Sequence, residues 1–200
     1  MRYAVWISGV QLAFAVALLP LAGCNEERAG PQKQVEPAKE TGAVTMEIRT
    51  SAFANGEEIP TRFTGDGEDV SPTLTWTGVP DGAKELALIC DDPDAPTPQP
   101  WVHWVVYKIP IAATGLVEHV PATETLAEPA GARQGKNSWG TIGYRGPAPP
   151  PGHGVHRYHF RLYALDSTLS VAGGLNKMQL LTAMQGHILA DTETVGTYQR

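Results

Sequence analysis

Residues 44–200 predict a mostly β domain of packed sheets, on three observations. Short strand-like runs at 45–50, 73–77, 85–90, 102–109 and 156–165 recur along the chain. Clusters of Gly, Pro and Asp bound them, the punctuation expected between strands. Helical spacing of apolar residues is confined to one stretch near the C-terminus. Several strands at modest spacing bury their apolar faces against one another.

The segment ahead of this domain reads differently. MRYAVWISGVQLAFAVALLPLAGC has one basic side chain, a mostly apolar run over 4–19 and small residues before Cys24, which predicts an export signal. Ser8, Gly9, Gln11 and Pro20 interrupt the run, leaving it short of the roughly 18 to 20 clean apolar residues of a membrane span. Leu21-Ala22-Gly23-Cys24 resembles the lipobox of bacterial lipoproteins. That resemblance implies a signal peptide over 1–23, cleavage before Cys24 and a diacylglyceryl group on its sulfur. An added amide-linked chain would exceed the two chains that stable attachment needs. The mature chain is therefore expected to be anchored by lipid in the bacterial cell envelope, facing the periplasm, without spanning the membrane. Asn25, standing where Asp would signal inner-membrane retention, leans toward the outer membrane.

Residues 25–43, NEERAGPQKQVEPAKETGA, hold almost no large apolar side chains and many charges. Such a segment buries too little surface to offset its ordering entropy, so 24–43 reads as the lipidated Cys24 and a flexible tether. With Cys24 acylated, Cys90 is left alone in the apolar run 86–90, where a buried, inert thiol is expected. The net charge of −6 offers no field to gather phosphate polymers, and no Lys/Arg run interleaves with aromatics, which excludes nucleic acid as an expected partner.

Within the domain, alternation along 102–109 puts His103, Val105, Tyr107 and Ile109 on one face and Val102, Trp104 and Val106 on the other. Both faces are largely apolar, which predicts a central strand. Met178, Leu181, Met184 and Ile188 recur at helical spacing after Gly173-Gly174, and Asn176 is placed to cap the first turn. That stripe is expected to pack on the core. Residues 192–198 predict a last short strand.

Three segments concentrate polar groups beside aromatics and prolines, the usual lining of a small-ligand pocket. In Asp91-Asp92-Pro93-Asp94-Ala95-Pro96 a strand ends and two prolines stiffen the turn that aims Asp92. The segment lacks the central Gly and distal Glu of a calcium loop. Trp101-Val102-His103-Trp104 places an imidazole between indoles. In GYRGPAPPPGHGVHRYHF, residues 143–160, Gly146, Gly152 and Gly154 let backbone N–H groups approach a ligand, while Pro147, Pro149, Pro150 and Pro151 hold the chain still. A stiff curve of N–H groups suits an oxyanion or phosphate. His153, His156 and His159 invite a metal reading, but His156 and His159 point to opposite faces of a strand, and even with His103 and Asp92 added the spacing matches no compact zinc signature, so no metal site is expected there. Ser138, in Lys136-Asn137-Ser138-Trp139-Gly140, is no nucleophile elbow.

Asp92-Pro93-Asp94-Ala95-Pro96, His103-Trp104 and Tyr144-x-Gly146-Pro147-x-x-Pro150-x-Gly152-x-Gly154-x-His156-Arg157-Tyr158 together resemble the signature segments of the phosphatidylethanolamine-binding protein family, in its bacterial, Raf kinase inhibitor-like branch. The resemblance covers residues 44–200. It implies a β-sandwich-like fold of two antiparallel sheets with a few short helices, and a small anion pocket formed by Asp92, Pro96, Trp101, His103, Gly146, Pro147, Pro150, His156 and Tyr158. No lid helix is evident after the last strand, so an open site is expected. The expected function is binding of a phosphate- or carboxylate-bearing ligand without catalysis, cofactor or metal. The alternatives are an inhibitor or regulator of an envelope peptidase or other protein and, behind it, a hydrolase using Asp92, His103 and His156.

Overall fold

The computed structural model describes residues 45–200; the segments expected to be a signal peptide, a lipidated Cys24 and a tether lie outside the described residues. The strands, in chain order, are β1 (Glu47–Thr50), β2 (Leu74–Thr77), β3 (Glu85–Asp92), β4 (Trp101–Pro110), β5 (Gly115–Leu116), β6 (Arg133–Gln134), β7 (His156–Leu165) and β8 (Ile188–Tyr198); a 3-10 turn (Thr61–Phe63) lies between β1 and β2 and an α-helix, α1 (Lys177–Met184), between β7 and β8. They form two antiparallel sheets, one ordered β1-β2-β5 and the other β6-β4-β3-β7-β8. The mostly β, two-sheet architecture is the predicted one.

Strand β3 shows why the large sheet is apolar on both sides. Leu86, Leu88 and Cys90 enter one cluster with Ile48, Leu74, Trp76 and Leu116 of the small sheet. Ala87 and Ile89 point the other way, into a second cluster with Tyr107, Leu165, Leu180 and Met184 beneath α1. Each face is covered, one by a sheet and one by a helix, so neither needs polar residues. Cys90 is fully buried, and burial pushes its thiol well up, as expected of an inert core side chain.

Plain alternation fails in β4. Pairing with β3 passes from Cys90 opposite Trp104 to Asp91 opposite Val102, which leaves His103 as the extra residue of a β-bulge. The bulge turns His103 to the side of Trp104, its ring edge-on to Tyr158 at 5.1 Å. Val102 instead packs with Val105 and Tyr107 in the second cluster. A second slip, between the Leu86–Ile109 and Leu88–Val106 pairs, coincides with Lys108 at φ 55. It carries Ile109 into the first cluster with Trp104 and Val106. The predicted faces are therefore wrong for His103, Ile109 and Val102, because each extra residue reverses the sidedness beyond it.

The helix begins where expected. The Asn176 side chain accepts from the Gln179 N–H at 3.0 Å while the Gln179 side chain accepts from the Asn176 N–H at 3.0 Å, a reciprocal cap. Its core stripe differs from the predicted one: Leu180 and Met184 are buried, whereas Met178 is 64% exposed. The helix ends at Met184, Gly186 takes φ 80, and Ile188 opens β8 opposite Leu165. The final strand is longer than 192–198 because β7 supplies partners along its length, from Leu165 to His156 opposite Tyr198.

Candidate functional site

The ends of β3, β4 and β7 meet at one margin of the large sheet. Asp92 closes β3 on the face already set by Leu88 and Cys90, so its carboxylate turns toward the space between the sheets. Asp91, its neighbour, faces the helix side and pairs with Lys177 of α1. His156 opens β7, and Tyr158 and Phe160 follow it on the same face, all buried.

Asp92 and His156 are joined directly. The His156 Nδ1 lies 2.7 Å from Asp92 Oδ2, with both residues almost fully buried. Asp92 Oδ1 accepts the Asp94 N–H at 2.8 Å, the side-chain turn that the Asp-Pro-Asp sequence favours. Asp94 itself accepts from the Arg157 backbone N–H at 2.9 Å and from its guanidinium at 2.8 and 2.7 Å. That guanidinium holds the Asp94 carboxyl down at about 2. The turn after β3 is thus clamped to the start of β7 by two carboxylates, one aimed inward and one outward.

His103 is held by a different partner. Its Nδ1 lies 2.5 Å from the Arg145 carbonyl oxygen, and a carbonyl only accepts, so Nδ1 carries the proton. Burial lowers the pKa of the ring against the opposing pull of the Arg145 bond and of Asp92. The neutral ring therefore keeps a lone pair on Nε2. Trp139 stands edge-on to His103 at 5.2 Å and to Trp101 at 5.3 Å, with the Arg145 guanidinium 5.1 Å from its ring centroid. Burial, and then Asp92, hold the Tyr158 phenol well above its usual range, so it remains a donor.

These groups surround an open cavity of about 290 Å³. Asp92, His103 and His156 form its floor, Trp101, Trp139 and Tyr158 its walls, and Ala95-Pro96-Thr97 and Ala148-Pro149-Pro150 complete its lining. Seven of the nine residues named from sequence, Asp92, Pro96, Trp101, His103, Pro150, His156 and Tyr158, come together here. Gly146 and Pro147 do not. The Gly146 N–H donates to Asp69 Oδ1 at 2.6 Å, and the Pro147 carbonyl accepts from Gly65 at 2.8 Å. Both lock the loop onto the 61–69 segment. The Gly152 N–H is engaged too, by the Arg200 carbonyl at 3.0 Å, so the expected cradle of loop N–H groups loses these two members to internal bonds.

Sequence reasoning missed two residues of consequence. Trp139 reaches the wall because Asn137 Oδ1 accepts from both the Trp139 and Thr141 N–H groups at 3.1 Å, a turn the sequence signalled only as Lys136-Asn137-Ser138-Trp139-Gly140. Ser138 itself is structural, its Oγ accepting the Val102 N–H at 2.8 Å. His153 is the second, weighed from sequence only as a metal candidate and not as a pocket residue: its Nδ1 lies 2.7 Å from His156 Nε2. Its spacing of three before His156 was the available signal. Both nitrogens of His156 are consequently engaged, one by Asp92 and one by His153. His159 faces the outer side of β7, toward Glu193 at 3.1 Å. Among the described residues no three His, Cys, Asp or Glu side chains are grouped to hold a metal ion.

Fold and cavity define a two-sheet β-sandwich protein with a polar-floored pocket at one sheet margin. The family model for phosphatidylethanolamine-binding protein matches residues 49–199, and the chain belongs to that family. A UPF0098 protein of Methanothermobacter thermautotrophicus is 53% identical over 78% of this chain and 99% of its own length. One from Aquifex aeolicus is 44% identical over 80% of this chain and 91% of its own length. Among solved structures, a putative phosphatidylethanolamine-binding protein homologue from Chlamydia trachomatis is 40% identical with a TM-score of 0.71, over 78% of this chain and 99% of that one. YbcL of E. coli, described as a member of the mammalian family, is 32% identical with a TM-score of 0.73, over 78% of this chain and 98% of that one.

Proposed function

We propose that this protein binds a small ligand through a phosphate or carboxylate group and does so without turnover, while anchored to the cell envelope through Cys24 and facing the periplasm. The observation that carries the binding reading is the convergence of Asp92, His103 and His156 on the floor of one cavity with apolar walls. Few polar groups set in an apolar frame fix a ligand's orientation. Asp92 orients the His156 ring through Nδ1, the Arg145 carbonyl orients His103, and Trp101, Trp139 and the prolines supply apolar surface around them. The engagement of both His156 nitrogens leaves that ring no free site for acid-base work while His153 stays in place, which favours binding over hydrolysis.

The test is titration of the protein with phosphate, phosphoethanolamine and acetate, following the imidazole signals by NMR. Saturable shifts of the His103 ring, abolished in His103→Ala and weakened in His156→Ala, are expected. Unchanged affinity in both variants refutes the site. A second reading, inhibition of an envelope peptidase, is favoured by one feature: Trp139 is 38% exposed at the cavity wall, and partly exposed aromatics anchor interfaces. Inhibition that survives Trp139→Ala would refute that surface.

A further inference from the structure

We propose that the pocket takes up its anion together with one proton, and that the proton resides on Nε2 of His103. This rests on the anion-binding reading above and specifies its chemistry.

The argument is an inventory of hydrogen-bonding groups on the floor. Asp92 accepts at both oxygens, from Asp94 and His156. His156 is engaged at both nitrogens, by Asp92 and His153. What remains on the floor is His103 Nε2, for which no hydrogen-bond partner is found among the described residues, with the Tyr158 hydroxyl beside it on the wall. The hydroxyl offers one donor. His103 offers a lone pair, because its proton is committed to the Arg145 carbonyl at 2.5 Å. A lone pair repels an anion; an N–H attracts it. With Asp92 and His156 committed, the floor itself offers an oxyanion a donor only when His103 gains a second proton.

The surroundings are poised for that change. From β3 the carboxylates of Asp91 and Asp92 act on His103, and Asp69 acts from the neighbouring loop, all favouring the imidazolium. From β7 the ring meets the neutral phenol of Tyr158 and, across the floor, His156. The Arg145 guanidinium is turned onto Trp139 and toward Asp69 at 3.5 Å, leaving only its carbonyl on His103. Burial alone opposes protonation and prevails without an anion. An anion seated on Nε2 adds a close negative charge beside a buried ring, where charge interactions are stronger than in bulk water. The ligand class follows. A phosphate monoester, with a second pKa of about 6, can deliver the proton itself, whereas a phosphodiester or carboxylate must draw it from solvent.

The probes are acetate and dimethyl phosphate, neither of which titrates above pH 6. Calorimetry of the full-length protein at pH 7.5, in buffers of different ionisation enthalpy, reads the protons taken up per anion bound. About one proton is expected, with affinity falling about tenfold per pH unit on the alkaline side. Nitrogen-15 signals of His103 should pass from the Nδ1–H neutral form to the imidazolium on saturation. Saturable binding without proton uptake, or with the proton on the His153–His156 pair, overturns this inference and leaves the anion site standing. Absence of saturable binding overturns both.

Discussion

Replacing Gly146 by Ala tests whether the Gly-Pro loop is a clasp or a cradle. A Cβ at this position would sit 2.3 Å from the Phe63 carbonyl oxygen and 2.7 Å from the Thr64 Cα. A relaxed C···O approach is about 3.3–3.6 Å, and both neighbours are backbone, so the two segments must part by about 1 Å. That separation strains the bonds joining them: Gly146 N–H to Asp69 at 2.6 Å, Tyr144 hydroxyl to the Phe63 carbonyl at 2.8 Å and Gly65 N–H to Pro147 at 2.8 Å. Overpacking of this kind costs about 1–3 kcal/mol, and weakening a hydrogen bond to a carboxylate a further 1.5–3 kcal/mol or so. The sum, about 2.5–6 kcal/mol, corresponds to a fall in Tm of roughly 5–24 °C for a domain of this size. Gly152, in the same loop, is the control. It takes φ 74 and a Cβ there would meet nothing within 4 Å, so Gly152→Ala carries only the left-handed backbone cost of about 1–2 kcal/mol. Urea unfolding with fitted slope and midpoint compares the two. A loss under about 1 kcal/mol for Gly146→Ala, or a larger loss for Gly152→Ala, would refute the clasp.

Asn176→Ala removes the cap of α1 and should cost about 1 kcal/mol in the same urea assay, with acetate affinity unchanged because the helix covers the second cluster and not the pocket. Arg157→Ala should raise the Asp94 pKa from about 2 toward 3.8, read by carbon-13 titration of the carboxyl. Because that pKa is lowered in the folded protein, the stabilisation is present above the unfolded value and disappears as pH falls through about 2. With Arg157 58% exposed, the stability lost at neutral pH should be small; an Asp94 pKa that stays near 2 in the variant would refute the clamp.

Most of the fold and much of the pocket could be read from sequence, for identifiable reasons. Short apolar runs bounded by Gly, Pro and Asp located β1, β2, β3, β4 and β7, continuous where both faces are covered as in β3 and β4, because strand burial is written as a local pattern. The short strands β5 and β6 carry no such pattern in two residues each and exist only through their partners. Asn176 was legible as a cap because capping is decided within four residues. Which helical residues are buried was not, since Leu180 rather than Met178 faces the sheet only because of how the capped helix is set down on it.

The sequence by itself determined that Asp92, Trp101, His103, His156 and Tyr158 lie at strand ends beside stiff, proline-bearing turns, because those features are written in neighbouring residues. Only the tertiary structure decided what they do to one another. A bulge visible in the β3–β4 register swings His103 to the face of Trp104, and no single-strand pattern records an extra residue in a pairing. The 81-residue step from Phe63 to Tyr144 and the 64-residue step from Asp92 to His156 are closed by packing. That closure makes Gly146 a contact between backbones, leaves His153 on His156, and reserves the free nitrogen of the floor to His103.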